Sequence, residues 1–373
     1  MTFYKTCCLA LIGATALSAQ PSEISTSLQQ DTCDTPCHSA TPEQMCSAPP
    51  IWQPLSNNVY LALSGDFLYW QTTQTGMAYG FINQAYGNIS TKIESIENVQ
   101  FRFKPGVRAS LGIRPHYDGW VADFVWTHLF SKAEGASNLP DTFGALGITP
   151  LYQNVQQLNN NAGTNASATW RMSYNTLDFD LNRTIPFGNC FGLKAHMGLR
   201  SLWMNQKYTQ WFLNLYDSST APSLVFNAAG FFKEKIWGLG PMLGIDSYWK
   251  LWRGFHLFGK ASFAFMWSYV QTHALSVSFI PGIDPYTSYT NAPTINSPYN
   301  PWESSPSFHT NIPQVSLAVG GEYSRNFCKD RYRLGLRLAW ELSTLFDANY
   351  LDTFYTYGNL YLSGLTTGLD LDF

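Results

Sequence analysis

Charge is scarce in this chain of 373 residues: only 13% of positions are Asp, Glu, Lys or Arg, about half the share of an ordinary soluble domain. The formal net charge is -3 and the basic residues are scattered rather than clustered, which speaks against a nucleic-acid partner. Long apolar runs are also missing. A membrane-spanning helix needs about 20 consecutive apolar residues, and none follows the N-terminus. Metal-ligand spacing is absent apart from Cys33-x3-Cys37-His38, whose surroundings lack the second half of a zinc module. His116, His128, His196 and His256 have no Ser-containing motif or acidic cluster beside them, so no catalytic machinery, metal or cofactor is expected.

What is present is aromatic and periodic. Aromatics make up 16% of the chain, with 28 Gly and a mean hydropathy of -0.14. From Val59 onward, apolar and polar residues alternate, the side-chain period of a strand. Reading back from the C-terminus, Phe373, Leu371, Leu369, Thr367 and Leu365 share one face, while Asp372, Asp370, Gly368 and Thr366 share the other. The pattern recurs in segments near 59–71, 100–114, 119–131, 168–184, 190–204, 233–249, 254–270, 312–327, 331–345 and the C-terminal end. In 168–184, Met172 and Tyr174 share one phase and Leu177, Phe179 and Leu181 the other, which suggests a bulge near Asn175.

Residues 1–19 read as a signal peptide, with Lys5 ahead of a short apolar stretch and small residues Ala16, Ser18 and Ala19 at the cleavage site. Residues 20–56 lack periodicity and are rich in Ser, Thr, Gln and Pro, as a mobile periplasmic segment would be. Export plus repeated alternation points to an all-β, antiparallel up-and-down transmembrane barrel over 57–373. Its apolar faces then meet lipid and its polar faces the lumen. Short connections (114–119, 184–189, 250–254, 328–331) alternate with long ones (72–99, 132–167, 205–232, 271–311, 346–358). That is the arrangement of short periplasmic turns and long extracellular loops. About ten strands result, and a hairpin hidden in a long loop leaves twelve or more open. Trp70, Trp120, Trp126, Trp203, Trp237, Trp249, Trp252, Trp267 and Trp340 fall near strand ends, where interfacial belts form.

The same alternation assigns the charges to the lumen. The second strand brings Arg102, Lys104, Arg108 and Arg114, the third and fourth Asp123, Asp178 and Asp180, and the fifth Lys194 and Arg200. The remaining strands bring Asp66, Asp246, Lys260, Glu322, Arg333, Arg337, Glu341, Asp370 and Asp372. Such crossed charges either polarise a pore or pair with one another and fill it. Eight strands leave room only for side chains, and ten leave a narrow bore.

Ser64-Gly65-Asp66-Phe67-Leu68-Tyr69-Trp70-Gln71, followed by Gly76-Met77-Ala78-Tyr79, resembles the first strand of the Legionella-type major outer membrane proteins, also found in chlamydia-like bacteria. The likeness extends to Gly106-Val107-Arg108, Gly112 and Trp126. The resemblance implies a pore-forming barrel of the bacterial outer membrane that passes small hydrophilic solutes and ions, and it transfers no catalytic residue. Terminal Phe373 is similar to the signal read by the barrel assembly machinery. The alternative is a structural or adhesive barrel without an open pore. Outer-membrane lipid is the expected surrounding. Cys7 and Cys8 leave with the signal, so Cys33, Cys37, Cys46, Cys190 and Cys328 remain, an odd number in an oxidising compartment. They are candidates for internal disulfides or links to other envelope proteins.

Overall fold

The computed structural model describes residues 60–86, 89–114, 120–139, 146–151, 163–188, 190–216, 225–252, 254–279, 302–327, 332–351 and 358–373. The expected signal peptide (1–19) and N-terminal segment (20–56) lie outside them, as do Cys33, Cys37, Cys46 and Cys328. The strands are β1 (Tyr60–Gln74), β2 (Ala78–Tyr86), β3 (Ile89–Asn98), β4 (Phe103–Arg114), β5 (Trp120–Asn138), β6 (Leu146–Pro150) and β7 (Asn165–Phe187). They continue with β8 (Phe191–Tyr216), β9 (Val225–Trp252), β10 (Phe255–Phe279), β11 (Trp302–Ser304), β12 (Ser307–Phe327), β13 (Tyr332–Asn349) and β14 (Gly358–Asp372).

Ten of these close a ring of antiparallel neighbours in the order β1-β4-β5-β7-β8-β9-β10-β12-β13-β14 and back to β1. The seam is sealed by reciprocal bonds: Leu61 N donates to Phe373 O and Phe373 N to Leu61 O, each at 3.0 Å. Strand β11 faces β10 in the register that β12 would keep if extended, with Gln271 opposite Ser307 and Ala274 opposite Ser304. It is the outer continuation of β12 past Pro306, whose carbonyl accepts Thr272 N at 3.0 Å. All ten expected strands are present. The long loop after β1 does hold a hairpin, β2–β3, but it joins β6 in a separate three-stranded sheet and leaves the wall at ten.

The observed strands run well beyond the expected segments at their outer ends, because the alternation changes sense there. On β8, Met197, Leu199 and Trp203 face outward, and so do Asn205 and Lys207 higher up, while Met204 and Tyr208 are buried inside. A strand that leaves the bilayer exchanges lipid for water on its outer face, so its apolar residues move to the inner one. This corrects the expected bulge at Asn175. The ladders on both sides of β7 run without a register shift. Met172 and Tyr174 are buried inside, and Leu177 and Leu181 face out. The same reversal takes Trp70 out of the interfacial belt: it is buried, and its Nε1 donates to Thr366 Oγ1 at 3.1 Å.

The outer belt is built from Trp126, Trp203, Trp237, Trp267 and Trp340, all on the outward face. Trp203 sits directly opposite Trp237, and Trp237 opposite Tyr269. Below, Trp120, Phe187, Trp249, Trp252 and Tyr332 form the periplasmic belt. From Trp237 to Trp249, at about 3.4 Å per residue and a tilt of about 40°, the span is about 30 Å, enough for a hydrocarbon layer.

Protease added to intact cells is expected to cut within 132–167 or 271–311 and to spare 184–189. Cutting at the short turns instead, read by mass spectrometry of the released peptides, would invert this topology.

Candidate functional site

The interior between the two belts holds a layer of charge. Arg108 on β4 places Nη1 and Nη2 on Glu341 Oε1 and Oε2 of β13 at 2.9 and 2.8 Å, passing over β1 and β14. Its Nε donates to Thr127 Oγ1 at 3.2 Å. Asp66 on β1 accepts Arg337 at 2.7 Å and Arg108 at 3.5 Å. Arg200 forks onto both oxygens of Asp178 at 2.8 and 2.7 Å. Asp123 receives Asn182 at 2.7 Å and Lys194 at 3.4 Å. His196 lies between Asp180 at 3.1 Å and Asp246 at 3.6 Å. Arg333 reaches Glu322 at 2.5 Å and Asp372 at 3.8 Å, and Arg337 also reaches Asp370 at 3.4 Å.

Lys260 lies 5.3 Å from the Phe258 ring, a cation–π contact. Lys104 is half-buried on the inward face of β4. Arg102 departs from the expected pattern: it precedes β4 and is exposed, because its neighbour Phe101 turns inward and packs edge-on against Trp170, with centroids 5.4 Å apart. Arg108, Arg200, Arg333, Arg337, Lys194 and His196 each meet a carboxylate from another strand. Bidentate Arg–carboxylate geometry is the arrangement that best offsets the loss of hydration.

Above the charge layer the interior is apolar. Leu68, Leu129, Trp170, Met172, Leu202, Met204, Met266, Val270, Ile312 and Leu345 are fully buried. Tyr174 OH on β7 accepts Gln314 Nε2 on β12 at 3.2 Å. Three strands separate β7 from β12 on one side of the ring and five on the other, so this bond crosses the bore. Higher still, the hairpin sheet caps the mouth. Tyr208 OH donates to Met77 O at 3.1 Å, and Tyr79 OH lies 2.6 Å from Ser137 Oγ. A Cβ added to Gly135 would lie 2.8 Å from the Tyr79 ring, so only glycine admits this approach.

One polar chain runs through the cap. Trp170 Nε1 donates to Gln206 Oε1 at 2.9 Å, and Gln206 Nε2 donates to Glu234 Oε1 at 2.9 Å and Ala348 O at 3.3 Å. Glu234 Oε2 accepts Tyr350 N at 2.5 Å. The chain after Leu345 turns inward to meet it through a register break against β14 and a positive φ of 50° at Asp347. Glu234 stands on the outer side of Trp237, between outward Lys233 and Lys235, beyond the bilayer span. Burial pushes its carboxyl up to about 8, against the downward pull of the Tyr350 and Gln206 bonds. Residues 348–351, Gln206 and Glu234 do not stand out as a site in sequence. The signal was a lone acid on the buried phase of Phe232, Glu234 and Ile236, flanked by two lysines.

The remaining candidates sit apart from this chain. His128 faces outward, stacked on Trp126 with centroids 6.0 Å apart, and its Nδ1 lies 2.8 Å from Asn175 Oδ1. His256 lies 3.4 Å from Ser324 Oγ, a Ser–His approach that sequence spacing does not reveal, with both side chains toward the interior. Cys190, in the β7–β8 turn, is disulfide-bonded. Among the described residues no group of three His, Cys, Asp or Glu is placed to hold a metal.

Two outcomes follow. Replacing Arg108 by Ala strands Glu341 in the interior and is expected to cost about 3 kcal/mol; a lowered midpoint of heat-modifiable migration checks this. For Glu234, the folded value of about 8 exceeds the ordinary 4.5, so the closed mouth binds the proton more tightly than the open one. Its stability is full below about pH 4.5 and declines as pH rises toward 8. Amide exchange at Tyr350, compared at each pH with E234Q, should reveal that decline in the wild type and not in the variant.

No curated protein matches the chain. Among solved structures it is similar to the outer membrane protease OmpT from Escherichia coli, at 10% identity over 84% of this chain and 96% of that one, with a TM-score of 0.39. It is also similar to a major outer membrane protein from Thermus thermophilus, at 11% identity over 84% and 99%, TM-score 0.30. A Pseudomonas aeruginosa FadL homologue gives 8% identity over 85% and 90%, TM-score 0.23. The family model described as Legionella pneumophila major outer membrane protein precursor matches residues 55–373, the entire barrel. This chain is therefore a barrel of the bacterial outer membrane and belongs to that family.

Proposed function

We propose that this protein works as a closed surface barrel, holding its long outer loops at the cell face without passing solutes by free diffusion. The observation that carries this reading is the cross-bore bond between Tyr174 and Gln314, set among fully buried Trp170, Met172, Met204 and Met266. A ten-stranded ring is narrow, and close-packed side chains leave few voids larger than a water molecule. The role is non-enzymatic. Phe373 serves barrel assembly, and the odd cysteines tie the barrel to itself or to neighbouring envelope proteins.

A second reading is a porin for small hydrophilic solutes, the function that the first-strand resemblance implies. One observation favours it: below the apolar layer lies an interior of paired charges, and the segment 348–351 above it meets a buried carboxyl, Glu234. In this reading the described arrangement is the shut state.

Planar-bilayer recording of the refolded full-length chain separates the two. The closed barrel gives no discrete conductance steps, and a W170A/Y174A/Y208A variant, with its packing removed, does. Steady steps from the wild type, shifted toward cations by replacing Arg108 and Arg200 with Ser, would establish the porin instead.

A further inference from the structure

On the outer surface, just above the aromatic belt, four neighbouring strands bring cations into one row and a fifth adds a histidine. Lys132 on β5 lies opposite Arg171 on β7, Arg171 opposite Lys207 on β8, Lys207 opposite Lys233 on β9, and Lys233 opposite His273 on β10. Lys235 adds a further outward cation on β9, one step nearer the bilayer. All are on the outward phase, since their neighbours Ser131, Met172, Tyr208 and Phe232 are buried. Directly opposed like charges weaken a sheet, so a row of this kind is costly unless an anion lies across it.

Among the described residues, anions lie only at the ends of the row. Glu134 pairs with Lys132 and also feels Arg171, and Glu303 pairs with His273 at 2.9 Å. Lys207, Lys233 and Lys235 have no ion pair or side-chain hydrogen bond among the described residues. Their height is informative. Lys207 and Lys233 stand four residues outward of Trp203 and Trp237, about 10 Å above the belt at strand spacing and tilt. That is where headgroups lie when acyl chains rest on Trp203, Trp237 and Leu239. Higher again, Trp211 and Phe231 meet edge to face on the outer surface, with centroids 5.6 Å apart. Apolar, cationic and aromatic surfaces thus follow one another up the same wall.

We propose that the outward face of β7, β8 and β9 is a binding site for a phosphorylated glycolipid of the outer leaflet. Lys207, Lys233 and Lys235 hold its phosphates, the tryptophan belt receives its acyl chains, and the Trp211–Phe231 pair lies against its sugar rings. Basic clusters beside a membrane-spanning segment bind anionic headgroups, and lysines at this height extend their stems along the apolar wall while keeping the ammonium in the headgroup layer. The ligand is a membrane lipid rather than a soluble phosphate, because the site is continuous with the lipid-facing belt.

The test uses the full-length chain in detergent micelles and labelled diphosphoryl lipid A, followed by fluorescence anisotropy, with bound lipid counted by native mass spectrometry. The wild type binds it. K207Q/K233Q/K235Q weakens binding roughly 100-fold, and K207R/K233R/K235R retains it. Fully dephosphorylated lipid A binds far more weakly, and inorganic phosphate at equal concentration does not displace the lipid. Heat-modifiable migration reports that each variant is folded, and R325Q, changed on the periplasmic side, serves as the unaffected control. Equal binding by the triple Gln variant, equal binding of the dephosphorylated lipid, or displacement by inorganic phosphate would each overturn the proposal.

Discussion

In hydrocarbon, a backbone N–H or C=O has no water to turn to, so a sheet can cross a membrane only if its last strand finds its first. The unbroken ladder between β1 and β14, from Ala62 opposite Asp372 to Gln74 opposite Leu360, meets that requirement here. Closure then dictates the rest. A closed ring has an inside, and with ten strands the inside is too narrow to be left to water alone. It must be filled by side chains whose charges are matched or whose surfaces are apolar. Both solutions are used, one above the other: paired charges at bilayer depth, apolar packing above it.

That stacking explains which parts were legible from sequence. Within the bilayer the outer face is apolar and the inner face polar, so Val107, Leu111 and Ile113 against Arg108 and Ser110 announce a strand and its orientation together. Above the bilayer the two faces exchange character. Met172 and Tyr174 then look out of phase with Leu177, although the ladders on both sides of β7 are unbroken. The same exchange hid Phe101 and Trp70, and it hid the outer half of β8 and β9. The period of two was present throughout; what changed was the solvent on each side.

Cross-strand partners were less legible than faces. Arg108 and Glu341 are far apart in sequence, and nothing in either segment marks them as a pair until the ring order sets β4 and β13 across two intervening strands. Glu234 was legible only as an isolated acid between two lysines. Its meaning depends on the inward turn after Leu345, which requires a positive φ at Asp347 that aspartate adopts more readily than most residues.

The wall of this barrel is not of even height. Strand β8 continues from Trp203 to Tyr216 and β9 begins as far out as Val225, whereas β14 begins at Gly358, a short way beyond Leu365. The mouth is therefore cut obliquely, and the molecule has a front and a back within the membrane plane. Crowded copies would therefore present tall walls to some neighbours and a short one to others.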